Sequence, residues 1–374
     1  MTAIHVDPRS RSDSIRPAAV GRAGNGVVAA EDFFDRNRSR CGDRTRAARR
    51  RFLLTLLGGL GFGPGFAGLG MAQDTAAPET AQAPENGDSA SSPDATDSSP
   101  ADRFWVAPPP RTATSWFPRP VEMSVGRIRE FDAERFVWTR PDGTSERRIS
   151  ARRVVWVRRA APSAFERAGV RAFWAGRYAD ALPALLDAVG TRPPVWHQQW
   201  LSMVAAQAAW RAGRGDVALE LISQIDRIPM TPLALAWLPV RWHGEEQDRA
   251  ARDAAASGLA SPSPAVRLVA ASWLVNHRRG SSSQVLRSLS RDDSHPGVAA
   301  LAVHALRRSA TPAEVSASGE RWRDEVRGLP IVWQVGPTKM LIDRFEVAEM
   351  RPEAGRLRRL LELVPPHPHP DLPG

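Results

Sequence analysis

The chain has 374 residues, 42% of them hydrophobic, and a formal net charge of +10 at pH 7. A chain of this length has room for two domains with a buried core. Its single cysteine, Cys41, excludes an intramolecular disulfide, a Cys-x-x-Cys redox pair and a cysteine-based zinc site. The sequence contains no P-loop, Gly-x-Ser-x-Gly or His-Glu-x-x-His motif. We therefore expect a protein that is not an enzyme and that binds neither a cofactor nor a metal ion.

An export signal is predicted at residues 46–72. It forms the last part of a leader that spans residues 1–72. A cluster of arginines precedes an uncharged apolar stretch, which ends in small residues at Gly70 and Ala72. This order is typical of a signal peptide with its cleavage site. We expect export to the periplasm or cell envelope. An uncleaved N-terminal membrane anchor is the alternative.

The arginines of this signal also indicate an export route. Arg49 and Arg50 are followed, after one residue, by Phe52 and Leu53. This arrangement resembles the twin-arginine export motif, although Ala48 stands where that motif usually has Ser or Thr. The general secretory route remains the alternative.

Residues 73–120 are predicted to form a disordered acidic linker rich in Pro, Ser and Ala. The stretch 73–102 contains seven acidic residues and no basic residue. Such a composition buries too little apolar surface to offset the entropy lost on ordering. We expect either a plain disordered spacer or one that holds the folded part away from a membrane surface.

A small antiparallel β module is predicted at residues 121–160. Asp142-Gly143 between two alternating runs favours a hairpin, and four short strands are expected over about 122–159, as a meander or a small open barrel. Arginines alternate with apolar residues along these strands. They form either a solvated face or an anion-binding surface with tryptophans available for stacking. The candidate binding residues are Arg147, Arg148, Arg152, Arg153, Trp138 and Trp156.

One short motif occurs twice, 37 residues apart. Its first copy contains Gly176, Tyr178 and Ala181, and its second contains Gly213 and Ala218. These residues resemble the tetratricopeptide repeat, in which a glycine ends the first helix, an aromatic residue follows, and an alanine lies in the second helix. Glycine tolerates the tight turn, and alanine lets the two helices approach closely.

A second motif occurs twice, 32 residues apart. Pro264 and Val266 match Pro296 and Val298, and each proline follows a polar turn that offers N-cap oxygens. This pattern resembles the HEAT repeat. The resemblance implies helices whose valines face the core.

The predicted fold is therefore mainly α. It is an α-solenoid of tetratricopeptide-like helical hairpins (163–230) and HEAT-like hairpins (231–310), preceded by the small β module. Residues 311–366 are expected to add C-terminal helices that cap the array. Residues 367–374 are expected to be a disordered tail.

This organisation predicts an exported non-enzymatic scaffold or adaptor, whose helical-repeat surface binds a protein or peptide partner. The alternative is an envelope protein that binds anionic polymers or lipid head groups through its arginine-rich strands. Residues 103–374 carry a net charge of +11, which attracts polyanions. No specific nucleic-acid partner is predicted, and membrane contact is expected only through an uncleaved leader.

Overall fold

The computed structural model describes residues 100–109, 120–243, 249–276, 279–363 and 367–372. The export motif (Arg49, Arg50, Phe52 and Leu53) and the greater part of the predicted linker lie outside the described residues. Within the described part, the chain is mainly helical, with a small antiparallel sheet before the helices. None of these helices is long and apolar enough to cross a membrane.

Five antiparallel strands form the sheet in the spatial order β4-β3-β2-β1-β5. They are β1 (Asp102–Val106), β2 (Glu122–Phe131), β3 (Arg135–Thr139), β4 (Glu146–Ser150) and β5 (Val154–Arg158). The hairpin predicted at Asp142-Gly143 joins β3 to β4, and Gly143 has a φ of +70°, a conformation that favours glycine.

The sheet curls, so that its two edge strands lie closer together than they would in a flat sheet. The edge strands β4 and β5 are joined by one turn of 3₁₀ helix, Ala151–Arg153. Four Cα-to-Cα steps reach at most about 14 Å, whereas a flat sheet would hold its outer strands about 19 Å apart. The curled sheet encloses Phe104, whose ring lies 5.0 Å from that of Phe136 and 5.1 Å from that of Trp138.

The first strand lies where the sequence predicts linker. Four strands were expected from residue 122 onward, but Asp102–Val106 pairs with both β2 and β5 as an inner strand of the sheet. The prediction of a disordered linker up to residue 120 is therefore wrong for this segment. Phe104 is fully buried, and the Asp102 carboxylate accepts a hydrogen bond from the amide of Ala160 at 2.9 Å.

Twelve helices follow in the described residues. The first six are α1 (Ala164–Trp174), α2 (Tyr178–Gly190), α3 (Val195–Arg211), α4 (Gly215–Ile225), α5 (Pro232–Ala236) and α6 (Arg249–Gly258). The others are α7 (Pro264–Leu274), α8 (Arg279–Leu289), α9 (Pro296–Arg307), α10 (Pro312–Gly328), α11 (Ile331–Val347) and α12 (Arg351–Leu363).

The two glycines of the first repeat motif make equivalent turns. Gly176 lies between α1 and α2, Gly213 lies between α3 and α4, and their φ angles are +72° and +73°. Ala181 and Ala218 are fully buried in the helices that follow. The predicted helix-turn-helix geometry is thus present at both copies of the motif.

The prolines of the second motif begin helices. Pro264 and Pro296 each occupy the first turn, where the missing N–H costs no hydrogen bond. The hydroxyl of Ser263 caps α7 by accepting from the amide of Val266 at 3.1 Å. Val266 and Val298 are buried, as predicted.

Most helices pack against the helix before and the helix after them, and the short helix α5 is the exception. It contacts α3, α9 and α11 as well as β5, so it joins the sheet to helices distant in sequence. The ring of Trp156 on β5 lies 5.2 Å from that of Trp200 on α3. The sheet and the helices therefore share one hydrophobic core.

The C-terminal segment also differs from its prediction. Residues 367–374 were expected to be disordered, but residues 367–372 pack against the helices, and the side chains of His367 and His369 are buried. Their contacts are made with α3, with the chain around α5 and with α11. No local pattern in the segment encodes these contacts.

Candidate functional site

The candidate site is a groove between α3, α5 and α11, which we call the tail groove. The hydroxyl of Thr231 caps α5 by accepting from the amide of Ala234 at 3.1 Å, and α5 ends after only five residues. The chain then continues as a buried segment to Trp242. Beside the end of α5 lies another stretch of chain, residues 367–372, which we call the tail.

The wall of the tail groove is apolar and closely packed. Trp333 on α11 donates through Nε1 to the carbonyl oxygen of Pro232 at 2.8 Å, which ties α11 to the start of α5. Gly336, one turn further along α11, lies directly against the indole of Trp242, and a methyl group at that position would overlap it. The residues that border the small cavity at His369 include Leu235, Leu238, Val240, Trp242, Leu301, Val332 and Trp333.

Residues 367–372 fill this groove. Arg211, the last residue of α3, donates through Nη2 to the carbonyl oxygen of Pro370 at 2.8 Å, and the same nitrogen lies 3.7 Å from Oδ1 of Asp371. The amide of Asp371 donates to Nδ1 of His369 at 3.1 Å. The tail is thus held by its backbone, by a carboxylate and by a buried ring.

The residue that holds the tail is itself positioned by the first repeat motif. The guanidinium of Arg211 lies 5.6 Å from the centre of the Tyr178 ring, and its Nη1 is 3.4 Å from the Tyr178 hydroxyl. Arg211 also lies 5.9 Å from the ring of Trp210. Cation–π contacts of this kind restrict a long side chain and leave its donors directed at a ligand.

The electrostatics of the tail groove disfavour charge on both titratable groups of the tail. Burial, reinforced by the positive charges of His367, Lys339 and Arg211, lowers the pKa of His369 well below its ordinary value of 6.5. Burial also raises the pKa of Asp371, although nearby cationic groups oppose that shift. The ring of His369 is only 3% exposed, and it also hydrogen-bonds to the backbone of Ala236.

A second concave site lies between α8, α9 and α10, where a cleft of about 750 Å³ is lined by Arg287, Arg307 and Trp322. The guanidinium of Arg307 lies 5.2 Å from the Trp322 ring, forms an ion pair with Glu325 and donates to Nδ1 of His304 at 3.0 Å. Arg307 is therefore committed to intramolecular contacts. Only Arg287, which is exposed at the rim, presents an open positive charge.

A buried hydrogen bond joins α1 to α3, beside an arginine that follows β5. Nε2 of His197 on α3 lies 3.0 Å from Oε1 of Glu166 on α1, and Arg159 lies 3.8 Å from the same carboxylate. The His197 ring packs between those of Trp196 and Trp200, at 4.9 and 5.3 Å. Burial lowers the pKa of His197 more than Glu166 raises it. No local sequence pattern predicts this pair, because 31 residues separate its members.

The predicted anion-binding residues are only partly brought together. Arg147, Arg148 and Arg152 are exposed at the β4 edge, whereas Arg153 turns inward and donates through Nε to the carbonyl oxygen of Ala107 at 2.8 Å. Trp138 lies opposite Arg147 in the strand ladder.

The two tryptophans of that set pack inward. The indole of Trp138 is only 8% exposed, between Phe104 and Phe136. Trp156 is half-buried against Trp200. Neither indole offers an open face beside the arginines for stacking on a ligand.

The parts of the chain that the structure describes contain no group of three or more His, Cys, Asp or Glu residues that could hold a metal ion. The predicted export signal at residues 46–72 lies outside those parts. No protein-family model, no curated protein and no solved structure matches this chain.

Proposed function

We propose that this protein is an exported non-enzymatic scaffold that binds a protein or peptide partner on a surface formed by its helical hairpins. In this proposal the tetratricopeptide-like and HEAT-like hairpins stack as a solenoid, and the helices after residue 311 cap it. The supporting observation is that the tail groove already holds a stretch of polypeptide, residues 367–372, which turns between His369 and Leu372.

The contacts in the tail groove are those expected of peptide recognition. A peptide backbone carbonyl receives a hydrogen bond from Arg211, a carboxylate lies near the same guanidinium, and a ring enters an apolar recess. A preorganised arginine and buried aromatic residues are typical anchors of protein interfaces. The groove therefore offers both specificity and apolar contact area to a short peptide segment of a partner.

A comparison of two charge reversals tests this function. The purified, affinity-tagged protein is mixed with envelope extract and crosslinked, and the captured proteins are identified by mass spectrometry at low and high salt. Arg211→Glu removes the anchor of the tail groove, whereas Arg287→Glu makes the same charge change at the rim of the other cleft. We expect a small set of partners, retained at high salt by the wild type and by Arg287→Glu but lost with Arg211→Glu.

The alternative function is binding of anionic polymers or lipid head groups, and it depends on Arg147, Arg148 and Arg152. These side chains are exposed along one edge of the sheet, and residues 103–374 carry net charge +11. Binding of this kind weakens steeply with salt, because released counterions supply its free energy. Retention that disappears entirely at high salt, and that Arg147→Gln with Arg148→Gln abolishes, would favour this function over the scaffold.

Export is tested separately, by cell fractionation of the untagged chain. Replacing Arg49 and Arg50 by lysine preserves the charge of the leader but removes the twin-arginine pair. If the twin-arginine route operates, this variant accumulates inside the cell. If the general secretory route operates, the variant reaches the envelope like the wild type.

A further inference from the structure

The cleft between α8, α9 and α10 is large and has an open wall. One face of α8, with Gly280, Ser283 and Arg287, lines it, and so does one face of α10, with Ser318 and Trp322. The small residues of α8 leave space in the cleft, because a Cβ added at Gly280 would meet no atom within 4 Å. The cleft volume of about 750 Å³ lies within the range of pockets that hold small ligands.

The positive charge of this cleft is fixed in position by the protein itself. Arg307 donates through Nη1 to Nδ1 of His304 at 3.0 Å and forms an ion pair with Glu325. Its guanidinium also lies 5.2 Å from the centre of the Trp322 ring. Glu325 balances the charge of Arg307, so Arg287, which is exposed at the rim, is the group available to a ligand. A guanidinium offers paired N–H donors that match the two oxygens of a carboxylate.

The remaining polar groups of the lining suit a ligand rich in hydroxyl groups. The carboxylate of Glu314 accepts hydrogen bonds from the amide and the hydroxyl of Thr311, at 2.7 and 2.9 Å, and so caps the start of α10. Its charge is partly offset by the positive end of that helix. Ser283, Ser309 and Ser318 add further hydroxyl groups. Each can both donate and accept, as the hydroxyl groups of a sugar also do.

We propose that this cleft binds a short acidic saccharide, with a sugar carboxylate held by Arg287 and sugar hydroxyls bonded along the serine-bearing walls. A neutral saccharide lacks the group that pairs with Arg287. An acidic peptide has the charge, but its N–H groups only donate and its carbonyl groups only accept. The cleft shares no lining residue with the tail groove or with the exposed arginines of β4, so this site depends on neither function proposed above.

Isothermal titration calorimetry on the purified full chain tests this site. The probes are trigalacturonate, the neutral trisaccharide maltotriose and the peptide triglutamate. Arg287→Gln removes the charge, and Gly280→Leu places a side chain in the open part of the cleft. The matched controls are Arg359→Gln, at an exposed position of α12, and Gly355→Leu, at a glycine of α12 that also has open space around it.

We expect the wild type to bind trigalacturonate and to bind maltotriose and triglutamate much more weakly. Arg287→Gln should weaken binding of trigalacturonate by about 10-fold or more, because it removes a charged hydrogen-bond donor. Gly280→Leu should weaken binding at least as much, whereas both controls should bind like the wild type. Circular dichroism and the thermal midpoint establish that each variant is folded.

Absence of trigalacturonate binding to the wild type, or equal binding by Arg287→Gln and Gly280→Leu, would overturn this site. Maltotriose bound as tightly as trigalacturonate would overturn the role of the carboxylate, and triglutamate bound as tightly would overturn the saccharide. The double variant Arg147→Gln with Arg148→Gln should bind like the wild type. Loss of binding in that variant would place the saccharide at the β4 edge instead.

Discussion

Arg211, at the end of α3, donates a hydrogen bond to the carbonyl oxygen of Pro370, a residue 159 positions later in the chain. The contact ties the C-terminal segment to the end of α3. Because the donor is charged and partly buried, its loss is expected to cost about 1–3 kcal/mol. We predict that Arg211→Ala greatly increases amide hydrogen exchange in residues 367–372, whereas Arg287→Ala does not. Unchanged exchange in Arg211→Ala would show that other contacts hold the tail.

Docking of the tail should weaken in mild acid. The docked His369 has a pKa below 6.5, so it binds a proton less readily than the free imidazole. Docking therefore loses free energy as the pH falls below about 6.5. The groups that act on His369 are Arg211, Lys339 and His367, with Asp371 beside them, and His243 acts on Asp371. We predict faster exchange of the tail amides at pH 5.5 than at pH 7.5, after correction for intrinsic rates.

Two variants separate the contributions to this pH dependence. His369→Asn keeps an acceptor near the position of Nδ1 and cannot titrate, so the response to pH should flatten. Asp371 acts in the opposite direction, because its raised pKa means that protonation favours docking at low pH. Asp371→Asn should therefore leave the acid-induced loosening intact. Loosening that persists unchanged in His369→Asn would assign it to another group.

His304 should make global stability depend on pH. Its Nδ1 accepts a hydrogen bond from Arg307, and burial beside that cation lowers the pKa of His304 to about 3. Keeping the ring neutral at pH 5 costs about 2 kcal/mol relative to pH 7, because the unfolded chain takes up the proton near 6.5. We predict that His304→Asn, measured by urea unfolding, loses less stability between pH 7 and pH 5 by roughly that amount. A pH dependence equal to that of the wild type would contradict this.

The turn between α3 and α4 should require glycine. Gly213 has a φ of +73°, which an alanine adopts only with strain, so Gly213→Ala should lower the free energy of unfolding by about 1 kcal/mol or more. Gly355 is the contrasting position, since it lies inside α12 with open space around its Cα. Gly355→Ala should raise the free energy of unfolding by about 0.5–1 kcal/mol. Chemical denaturation of both variants checks the difference in sign.

The sequence predicts the features that depend on interactions between residues close together in the chain, and it misses those that depend on residues far apart. The turns at Gly176 and Gly213, and the helix starts at Pro264 and Pro296, depend on backbone preferences within a few residues, and the structure confirms them. The strand at 102–106 was missed because its flanks are acidic and proline-rich. Only pairing with β2 and β5 makes it a strand.

The candidate site was the least predictable part. The tail has the composition of a disordered segment, and its order depends on Arg211, which no local pattern connects to it. Trp138 was assigned to a binding face, although Phe104 and Phe136 enclose it. Alternation along a strand shows that two faces exist, but the register of the neighbouring strands and the curl of the sheet decide which face becomes interior.

The exposed arginines of β4 also affect how this strand can pair with a second copy of the protein. Because β4 is an outer strand, one row of its backbone hydrogen-bonding groups has no neighbouring strand, and such a row readily recruits a strand from another molecule. Arg147 and Arg148 place like charges wherever two copies of this strand would come together. Repulsion between these charges disfavours pairing of the edge with a second copy. Replacing both arginines by glutamine therefore removes a candidate anion site and also makes aggregation through this edge easier.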